Sequence, residues 1–252
     1  MTMRAALFCV ACVVAPLLAG AEEATFKVDG VTRRAFVYAP PVAPPPAGFP
    51  VVLAFHGRGD VIENFEIVNI HREWPEAVVV YFQGLDREGY PGWQVERGQD
   101  GDRDLKMVDV ALTTLRTKYR IDGRHVYAVG FSNGAGFTYL LWADRPNLFA
   151  GFGIVAGRWR PDVQPKVRKP AIVVSGVHDP GYADHRAGMV NAIVLNGVRT
   201  TAARCGNGCQ RYGSGTPAPV VTITHRGGHE FPPLMTDYVV TFLKENASRS
   251  SQ

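Results

Sequence analysis

Residues 126–136 read Val-Tyr-Ala-Val-Gly-Phe-Ser-Asn-Gly-Ala-Gly and decide the fold of this chain. An apolar run ends at Val129, a Gly-x-Ser-x-Gly pentapeptide follows at 130–134, and apolar residues then recur with helix-compatible spacing. A strand, a sharp turn and a helix form the context in which this pentapeptide becomes a nucleophile elbow. Glycine is needed at 130 and 134 because side chains there would collide with the neighbouring strand and helix. The sequence therefore predicts that Ser132 is an exposed nucleophile at a helix N-terminus, where free N–H groups stabilise negative charge.

The size and charge of the chain restrict its class. It has 252 residues and a formal net charge of +4, with no long Lys/Arg run interleaved with aromatic residues. This composition argues against a nucleic-acid-binding protein. The length is typical of a single α/β domain, which we assign to residues 22–252.

The first 21 residues have the pattern of a signal peptide. Arg4 precedes an apolar stretch at 5–18, and Ala19-Gly20-Ala21 forms a cleavage site before Glu22. A transmembrane anchor is the alternative, but the apolar run is short and contains Pro16. A lipoprotein at Cys12 would need a leucine-like residue where Cys9 stands. We therefore expect export to the periplasm or the medium, with no stable membrane anchor once the leader is removed.

Two cysteines remain after the leader, in the sequence Cys205-Gly-Asn-Gly-Cys209. A close pair in an exported protein predicts a disulfide, and the intervening glycines allow so small a ring. A metal site is the alternative, but it would need two further ligands nearby. The expected bridge closes a small local ring and does not determine the fold.

Short apolar runs alternate with helical patterns along the rest of the chain. Alternating residues on both sides of Asp29-Gly30 predict an antiparallel hairpin. Wholly apolar runs are typical of strands that are covered on both faces. The long stretch at 84–102 has no regular pattern, and such loops are usually functional. The expected buried strands lie at 51–55, 77–82, 126–129, 148–155, 170–175 and 220–224. The expected helices lie at 60 to about 74, at 104–119, after Ser132, and after Pro233 to about 246.

An acid and a base for Ser132 follow in the chain. With this type of elbow the acid comes after the serine and the histidine comes last. Asp179 stands on the loop after a late strand, although it could also be a simple turn residue before Pro180. His225 and His229 both follow the last strand, and the Gly-rich loop at 227–228 favours His229 because it can reach back over the serine. The same glycines exclude a helical His-x-x-x-His zinc site.

With these motifs placed, the chain resembles the secreted polyhydroxybutyrate depolymerase and feruloyl esterase group of the α/β-hydrolases. The resemblance extends over roughly residues 33–242 and implies that Ser132, Asp179 and His229 form the catalytic triad. It also implies an α/β-hydrolase fold: a mostly parallel central sheet with an antiparallel N-terminal hairpin and helices on both faces. About a dozen residues separate the expected strands at 148–155 and 170–175, which is too few for a lid domain. The motifs that carry the resemblance are His56-Gly57, residues 119–127 (Tyr-Arg-Ile-Asp-Gly-Arg-His-Val-Tyr), residues 130–134, residues 146–150 (Pro-Asn-Leu-Phe-Ala), residues 176–180 (Gly-Val-His-Asp-Pro) and residues 227–229 (Gly-Gly-His).

Two backbone amides are expected to form the oxyanion hole. In α/β-hydrolases the loop after the strand at 51–55 supplies one donor, and the residue after the nucleophile supplies the other. We assign these donors to the amides of Arg58 and Asn133, and Gly57 lets the first of them approach the substrate.

Five aromatic residues follow strand ends and are expected to line the cleft above the serine. Each could also be a packed loop residue. Together they suggest a flat aromatic or polymeric ester, held by stacking and apolar contact. These candidate substrate-binding residues are Tyr90, Trp93, Trp159, Tyr182 and Phe231.

These features favour an exported serine ester hydrolase that acts through an acyl-enzyme, without a metal or an organic cofactor. The expected substrates are hydroxyacyl or hydroxycinnamoyl esters, either small or polymeric. A serine peptidase of the same fold shares the triad and is one alternative. A hydrolase-like binding module that has lost catalysis is another, although all three triad residue types are present in order.

Overall fold

A computed structural model describes residues 20–198 and 201–249. Ten strands form one sheet, and two short strands form a separate hairpin. The strands are β1 Glu22–Val28, β2 Val31–Tyr38, β3 Phe49–Phe55, β4 Val78–Phe82, β5 Leu85–Arg87, β6 Tyr90–Gly92, β7 Ile121–Phe131, β8 Gly151–Val155, β9 Ala171–Gly176, β10 Ala203–Gly206, β11 Cys209–Tyr212 and β12 Val220–His225.

Six α-helices and three short 3-10 helices connect the described strands. The 3-10 helices lie at Glu66–Val68, Gln99–Asp102 and Pro146–Leu148. The α-helices are α1 Ile62–Phe65, α2 Ile70–Glu73, α3 Arg103–Tyr119, α4 Asn133–Asp144, α5 Tyr182–Leu195 and α6 Pro233–Arg249.

The large sheet has the strand order β1-β2-β4-β3-β7-β8-β9-β12-β11-β10. The six strands from β4 to β12 run parallel, whereas the β1–β2 hairpin joins one side and the β10–β11 hairpin joins the other side in antiparallel register. The mostly parallel sheet with an antiparallel N-terminal hairpin is therefore confirmed. Asp29 and Gly30 turn this hairpin with positive φ angles of 49° and 82°, as the Asp-Gly signal predicts.

Helices cover both faces of the sheet, and each face has its own apolar core. Residues of α3, α4 and α5 pack in one core, and residues of α1, α2 and α6 pack in the other. Alternate residues of the central strands enter opposite cores. Leu53 and Ala128 belong to the first core, whereas Val52 and Val129 belong to the second. This double coverage explains the wholly apolar strand sequences.

Three expectations about local structure were wrong or incomplete. The helix expected at 60–74 is broken, because Asn69 has a left-handed φ of 58° between α1 and α2. The stretch at 84–102 contains the β5–β6 hairpin and a 3-10 turn, so it is not wholly irregular. Helix α5 and the β10–β11 hairpin were not predicted.

The cysteine prediction is confirmed, since a disulfide joins Cys205 to Cys209 across the turn of the β10–β11 hairpin. The connection at 156–170, between β8 and β9, contains no helix or strand, as expected for a chain without a lid at this point. Residues 1–19 of the expected signal peptide lie outside the described residues. Among residues 20–198 and 201–249, no helix has the length and apolar character needed to cross a membrane.

Candidate active site

Ser132 lies at the tip of a sharp turn between β7 and α4. Its φ and ψ angles of 55° and −114° are rarely adopted by a residue with a side chain, and strained backbone of this kind concentrates at functional sites. A Cβ on Gly130 would lie 2.2 Å from the carbonyl oxygen of Gly134, and a Cβ on Gly134 would lie 2.2 Å from that of Phe55. Both glycines are therefore required by the turn, in agreement with the sequence prediction.

Two short hydrogen bonds link Ser132 to His229 and His229 to Asp179. The Oγ of Ser132 lies 2.7 Å from Nε2 of His229, and Nδ1 of His229 lies 2.7 Å from Oδ2 of Asp179. Because a carboxylate only accepts, Nδ1 carries the proton and Nε2 of a neutral ring accepts from the serine hydroxyl. The structure thus brings together the three residues that the sequence singled out.

The two histidines that competed for the role of base have different surroundings. The loop that carries His229 is held against the acid loop, where the His178 amide donates to the Gly227 carbonyl over 3.1 Å. His225 stays at the end of β12, where its Nδ1 accepts from the Gly227 amide over 3.1 Å. His229 is the histidine that reaches Ser132.

The carboxylate of Asp179 is buried, with 2% of its side chain exposed. Burial alone would raise its pKa. The Gly181 amide, which donates to Oδ1 over 2.7 Å, and the hydrogen bond from His229 outweigh burial, so the pKa of Asp179 lies below its usual value. The acid is therefore held in the charged form that can orient and stabilise a protonated imidazole.

A second histidine, which the sequence reasoning missed, lies behind the acid. The Nδ1 atom of buried His185 is 2.9 Å from the hydroxyl of Ser175 and 3.6 Å from Oδ2 of Asp179. Burial lowers the pKa of His185 and favours its neutral form. Ligand atoms of Asp179, His185 and His229 lie within 4.8 Å of one another, a spacing that could hold a metal ion. Each of these three side chains also has a protein hydrogen-bond partner, which accounts for the cluster without a metal.

The loop after β3 brings the Gly57–Arg58 peptide next to the serine. A Cβ on Gly57 would lie 3.4 Å from the Cβ of Ser132. Buried His56 donates from Nδ1 to the Gly57 carbonyl over 2.6 Å, and its Nε2 accepts from the Gly84 amide over 2.9 Å. Burial lowers the pKa of His56, which favours the neutral ring that this pattern needs. Since the carbonyl and the N–H of one peptide point in opposite directions, His56 fixes where the Arg58 amide points.

The amides of Arg58 and Asn133 have no protein acceptor within the described ranges. Asn133 is the first residue of α4, so its N–H is one of the unsatisfied donors at a helix start. Both amides are thus free to donate to a substrate oxygen next to Ser132.

The side chain of Asn133 has a further contact that the sequence did not reveal. Its Oδ1 accepts from the Trp93 amide over 2.7 Å, and its Nδ2 donates to the Trp93 carbonyl over 3.1 Å. The long loop at 84–102 is therefore tied to the elbow. A second tie joins this loop to the β3 loop, where the Gly59 amide donates to the Pro91 carbonyl over 2.7 Å.

Trp93 does not line the cleft, which corrects the expectation for this residue. Its side chain is fully buried, stacks on Phe137 and meets Phe55 edge-on. The indole N–H donates to the His56 carbonyl over 2.9 Å. Trp93 supports the β3 loop from below, so it cannot stack on a substrate.

The other four aromatic candidates differ in their positions. Tyr90 is 57% exposed and lies under the guanidinium of Arg58. Phe231 is partly exposed and packs 6.4 Å from Phe131, whose ring is 5.2 Å from His229. Trp159 packs edge-on against Tyr139 of α4 and lines a groove beside the outer face of α5. Tyr182 begins α5 and lines a different groove. Of the five candidates, Tyr90 and Phe231 lie beside the site.

No family model matches the chain. It is 31% identical over 165 residues to the protein named "Putative esterase NocK" of Nocardia uniformis subsp. tsuyamanensis, covering 61% of this chain and 47% of that protein. It is also 31% identical over 135 residues to the bifunctional acetylxylan esterase/xylanase XynS20E of Neocallimastix patriciarum, covering 52% of this chain and 19% of that one. The chain thus spans about half the length of the first relative and about a fifth of the second.

A solved structure shares the fold over most of the chain. The hyperthermophilic esterase of the archaeon Pyrobaculum calidifontis superposes with a TM-score of 0.65, covering 92% of this chain and 87% of that chain at 16% identity. The chain has the α/β-hydrolase fold. In the α/β-hydrolase fold the strand–turn–helix elbow, the loop after β3 and the loops after β9 and β12 meet at the carboxyl ends of the parallel strands. Those are the positions of Ser132, Arg58, Asp179 and His229 in this chain.

Proposed function

We propose that this protein is a serine carboxylic-ester hydrolase that acts through an acyl-enzyme. The observation that carries the proposal is the relay of two 2.7 Å hydrogen bonds from Ser132 through His229 to Asp179. The names of the two relatives, both of which include the word esterase, favour ester hydrolysis over the other chemistries that use such a relay.

In the first half of the proposed reaction, Ser132 attacks the ester carbonyl while Nε2 of His229 takes the hydroxyl proton. Asp179 keeps the ring oriented and stabilises the imidazolium that forms. The amides of Arg58 and Asn133 donate to the oxyanion, and removing one such donor typically costs about 3–4 kcal/mol of transition-state stabilisation. Collapse of the tetrahedral intermediate breaks the bond to the alkoxy oxygen, and His229 returns its proton to the departing alcohol.

In the second half, water attacks the acyl-serine as His229 takes one of its protons. Collapse of the second tetrahedral intermediate releases the carboxylic acid, and the proton on His229 returns to Ser132. The proton that Ser132 loses to the alcohol is thus replaced by one from water, and His229 carries both. Removal of the leader at residue 21 and export of residues 22–252 are part of the proposal, and the Cys205–Cys209 disulfide supports an oxidising compartment.

The substrate proposal concerns short acyl groups on small or polymeric alcohols. Hydroxyacyl and hydroxycinnamoyl esters follow from the family resemblance, and exposed Tyr90 and Phe231 could contact such acyl groups. The acetylxylan esterase activity in the name of XynS20E adds acetylated xylan to the substrates to be compared. With no helix or strand between β8 and β9, we expect no rate jump at a lipid interface.

The deciding test compares wild-type protein with Ser132→Ala on p-nitrophenyl acetate, methyl ferulate, hydroxybutyrate oligomers, acetylated xylan, a triglyceride emulsion and a peptide. We expect the wild type to cleave esters and react with a fluorophosphonate probe, and Ser132→Ala to do neither while keeping its unfolding transition. Ester turnover by pure Ser132→Ala would refute the nucleophile assignment. Faster cleavage of the peptide would make the protein a peptidase, and a folded wild type that cleaves nothing and resists the probe would be a binding module.

A further inference from the structure

A groove separate from the candidate triad lies between α5 and the antiparallel edge of the sheet. Its volume is about 650 Å³, within the usual range for small-molecule sites. One wall is the side of α5 that carries Tyr182, Arg186 and Met189, and the other wall is formed by β10, β11, β12 and the disulfide-linked turn between β10 and β11. None of its lining residues belongs to the triad or the proposed oxyanion hole.

Two arginines give this groove its charge. Arg186 on α5 and Arg204 on β10 both line it, and both are exposed. Neither has a carboxylate within 4 Å or a side-chain hydrogen bond among the described residues, whereas Arg211, one strand along, pairs with Glu245 at 2.7 Å. Two guanidinium groups without acidic partners in one groove favour an anionic ligand, because each can donate two parallel hydrogen bonds to a carboxylate.

Much of the remaining lining is polar and suits a ligand that is rich in hydroxyl groups, while Met189, Val190 and Ile193 of α5 add apolar contact. Gln210, Thr222 and Thr224 present amide and hydroxyl groups from β11 and β12. Two tyrosine rings, Tyr182 and Tyr212, supply flat faces on either side of the groove. A hydroxyalkanoate chain offers mainly ester carbonyls, which only accept hydrogen bonds, and methyl groups, so the polar strand side of the groove favours a sugar chain over such a polymer.

The groove opens beside the loops that carry the candidate acid and base. The amide of Tyr182 donates to the backbone carbonyl of Asp179 over 2.9 Å. On the opposite wall Thr224 is next to the last residue of β12, directly before the loop that carries His229. A chain-like alcohol whose ester is cleaved at Ser132 could therefore extend from the triad into the groove.

We propose that this groove binds the alcohol portion of the substrate, and that this portion is an oligosaccharide whose sugar residues carry carboxylates. Arg186 and Arg204 hold the uronic-acid carboxylate, and the polar side chains of β11 and β12 hold hydroxyl groups. This proposal rests on the proposed ester hydrolase function and specifies its substrate class.

The test measures binding in the Ser132→Ala protein, so that hydrolysis does not interfere. Calorimetric titration compares a glucuronic-acid-bearing xylo-oligosaccharide, the neutral xylo-oligosaccharide of equal length and a hydroxybutyrate oligomer with a free carboxylate. We expect the acidic sugar to bind at least about tenfold more tightly than the neutral one, with an advantage that shrinks as salt is added. Arg186→Gln and Arg204→Gln should each remove most of that advantage.

Arg116→Gln is the matched control, because Arg116 is an exposed arginine on α3, away from the groove. It should leave the affinity for the acidic sugar unchanged. Equal affinity for acidic and neutral sugars, or an acidic preference that survives both groove substitutions, would overturn the proposal. Equally tight, arginine-dependent binding of the hydroxybutyrate oligomer would overturn the sugar assignment.

The unfolding transition of each variant checks that it is folded. Failure of this proposal is distinguishable from failure of the proposed function, because p-nitrophenyl acetate has no sugar to place in the groove. Wild-type turnover of that ester together with no acidic preference would count against the groove alone.

Discussion

A buried ion pair under the long loop gives the sharpest test of how the structure supports the site. Arg33 on β2 and Asp104 on α3 have fully buried side chains, and Nη2 of Arg33 lies 2.7 Å from Oδ1 of Asp104. The other carboxylate oxygen of Asp104 accepts from the Gln94 amide over 2.7 Å. Gln94 follows Trp93, the residue held by Asn133, so the pair anchors the loop that supports the proposed oxyanion hole.

The proposed perturbation is Asp104→Asn, which keeps the shape of the side chain and removes its charge. Arg33 would then be a buried cation without a counter-ion, a change that typically costs about 3–5 kcal/mol. Arg33→Met should cost a similar amount, because it leaves the carboxylate unpaired. The double variant leaves no buried charge, so we expect it to be more stable than the sum of the two single effects predicts, by up to about 3 kcal/mol.

Urea denaturation followed by tryptophan fluorescence measures the three variants against wild type. Asp29→Asn is the matched control, since it removes an exposed carboxylate that pairs with Lys106 at 2.7 Å, and asparagine tolerates the left-handed turn. It should leave the free energy of unfolding nearly unchanged. The reasoning would be refuted if Asp104→Asn cost less than about 1 kcal/mol or if the two single effects simply added. Should a single variant fail to fold, recovery of folding in the double variant supports the same coupling.

Three further predictions concern the base, pH and the disulfide. His229→Ala should abolish ester hydrolysis, whereas His225→Ala should retain most of it, because His229 is the histidine that contacts Ser132. The reverse ranking of initial rates would assign the role of base to His225. Burial lowers the pKa of His71 from 6.5 to about 4, so the unfolded chain binds the proton first as pH falls. This histidine alone should contribute a loss of about 3 kcal/mol of unfolding free energy between those pH values. His71→Phe should flatten this part of the urea-derived stability profile, and an unchanged profile would contradict the assignment. Reduction of the bridge between Cys205 and Cys209 should lower the unfolding free energy by about 2 kcal/mol, with little change in p-nitrophenyl acetate turnover. Two free thiols, titrated before reduction, would contradict the bridge.

The parts of the fold that the sequence predicted correctly are those with a strong local pattern. The elbow, the parallel strands and the Asp-Gly hairpin each depend on a few neighbouring residues. The close approach of Ser132, Asp179 and His229 also follows from sequence order, because in this fold the loops after the corresponding strands meet at one edge of the sheet. Their catalytic roles stay predictions, as do those of the Arg58 and Asn133 amides.

The wrong prediction that Trp93 lines the cleft has a physical cause that lies outside the local sequence. Trp93 follows Tyr90, Pro91 and Gly92 in a loop, and nothing in those letters says which aromatic ring turns inward. Burial of the indole depends on the His56 carbonyl, which accepts its N–H, and on the ring of Phe137 from α4. Both partners are distant in sequence, so the loop gives no local signal of them.

Helix α5 was missed for a related reason, and the miss explains why His185 and the groove were unforeseen. Its inward positions follow the helical spacing 185, 188, 189 and 192, but they are occupied by His, Gly, Met and Ala, whereas Val190 and Val194 are 50% and 69% exposed. The apolar pattern therefore points away from the core. Glycine is needed at the inward position 188, because a Cβ there would lie 2.4 Å from the hydroxyl of Tyr139. His185 also faces inward, where it contacts Ser175 and Asp179. The inward face of α5 thus contacts the candidate triad, while its exposed side carries Arg186 into the groove. Because both sides of α5 carry residues of other roles than core packing, its sequence shows little of the amphipathic periodicity by which helices are recognised.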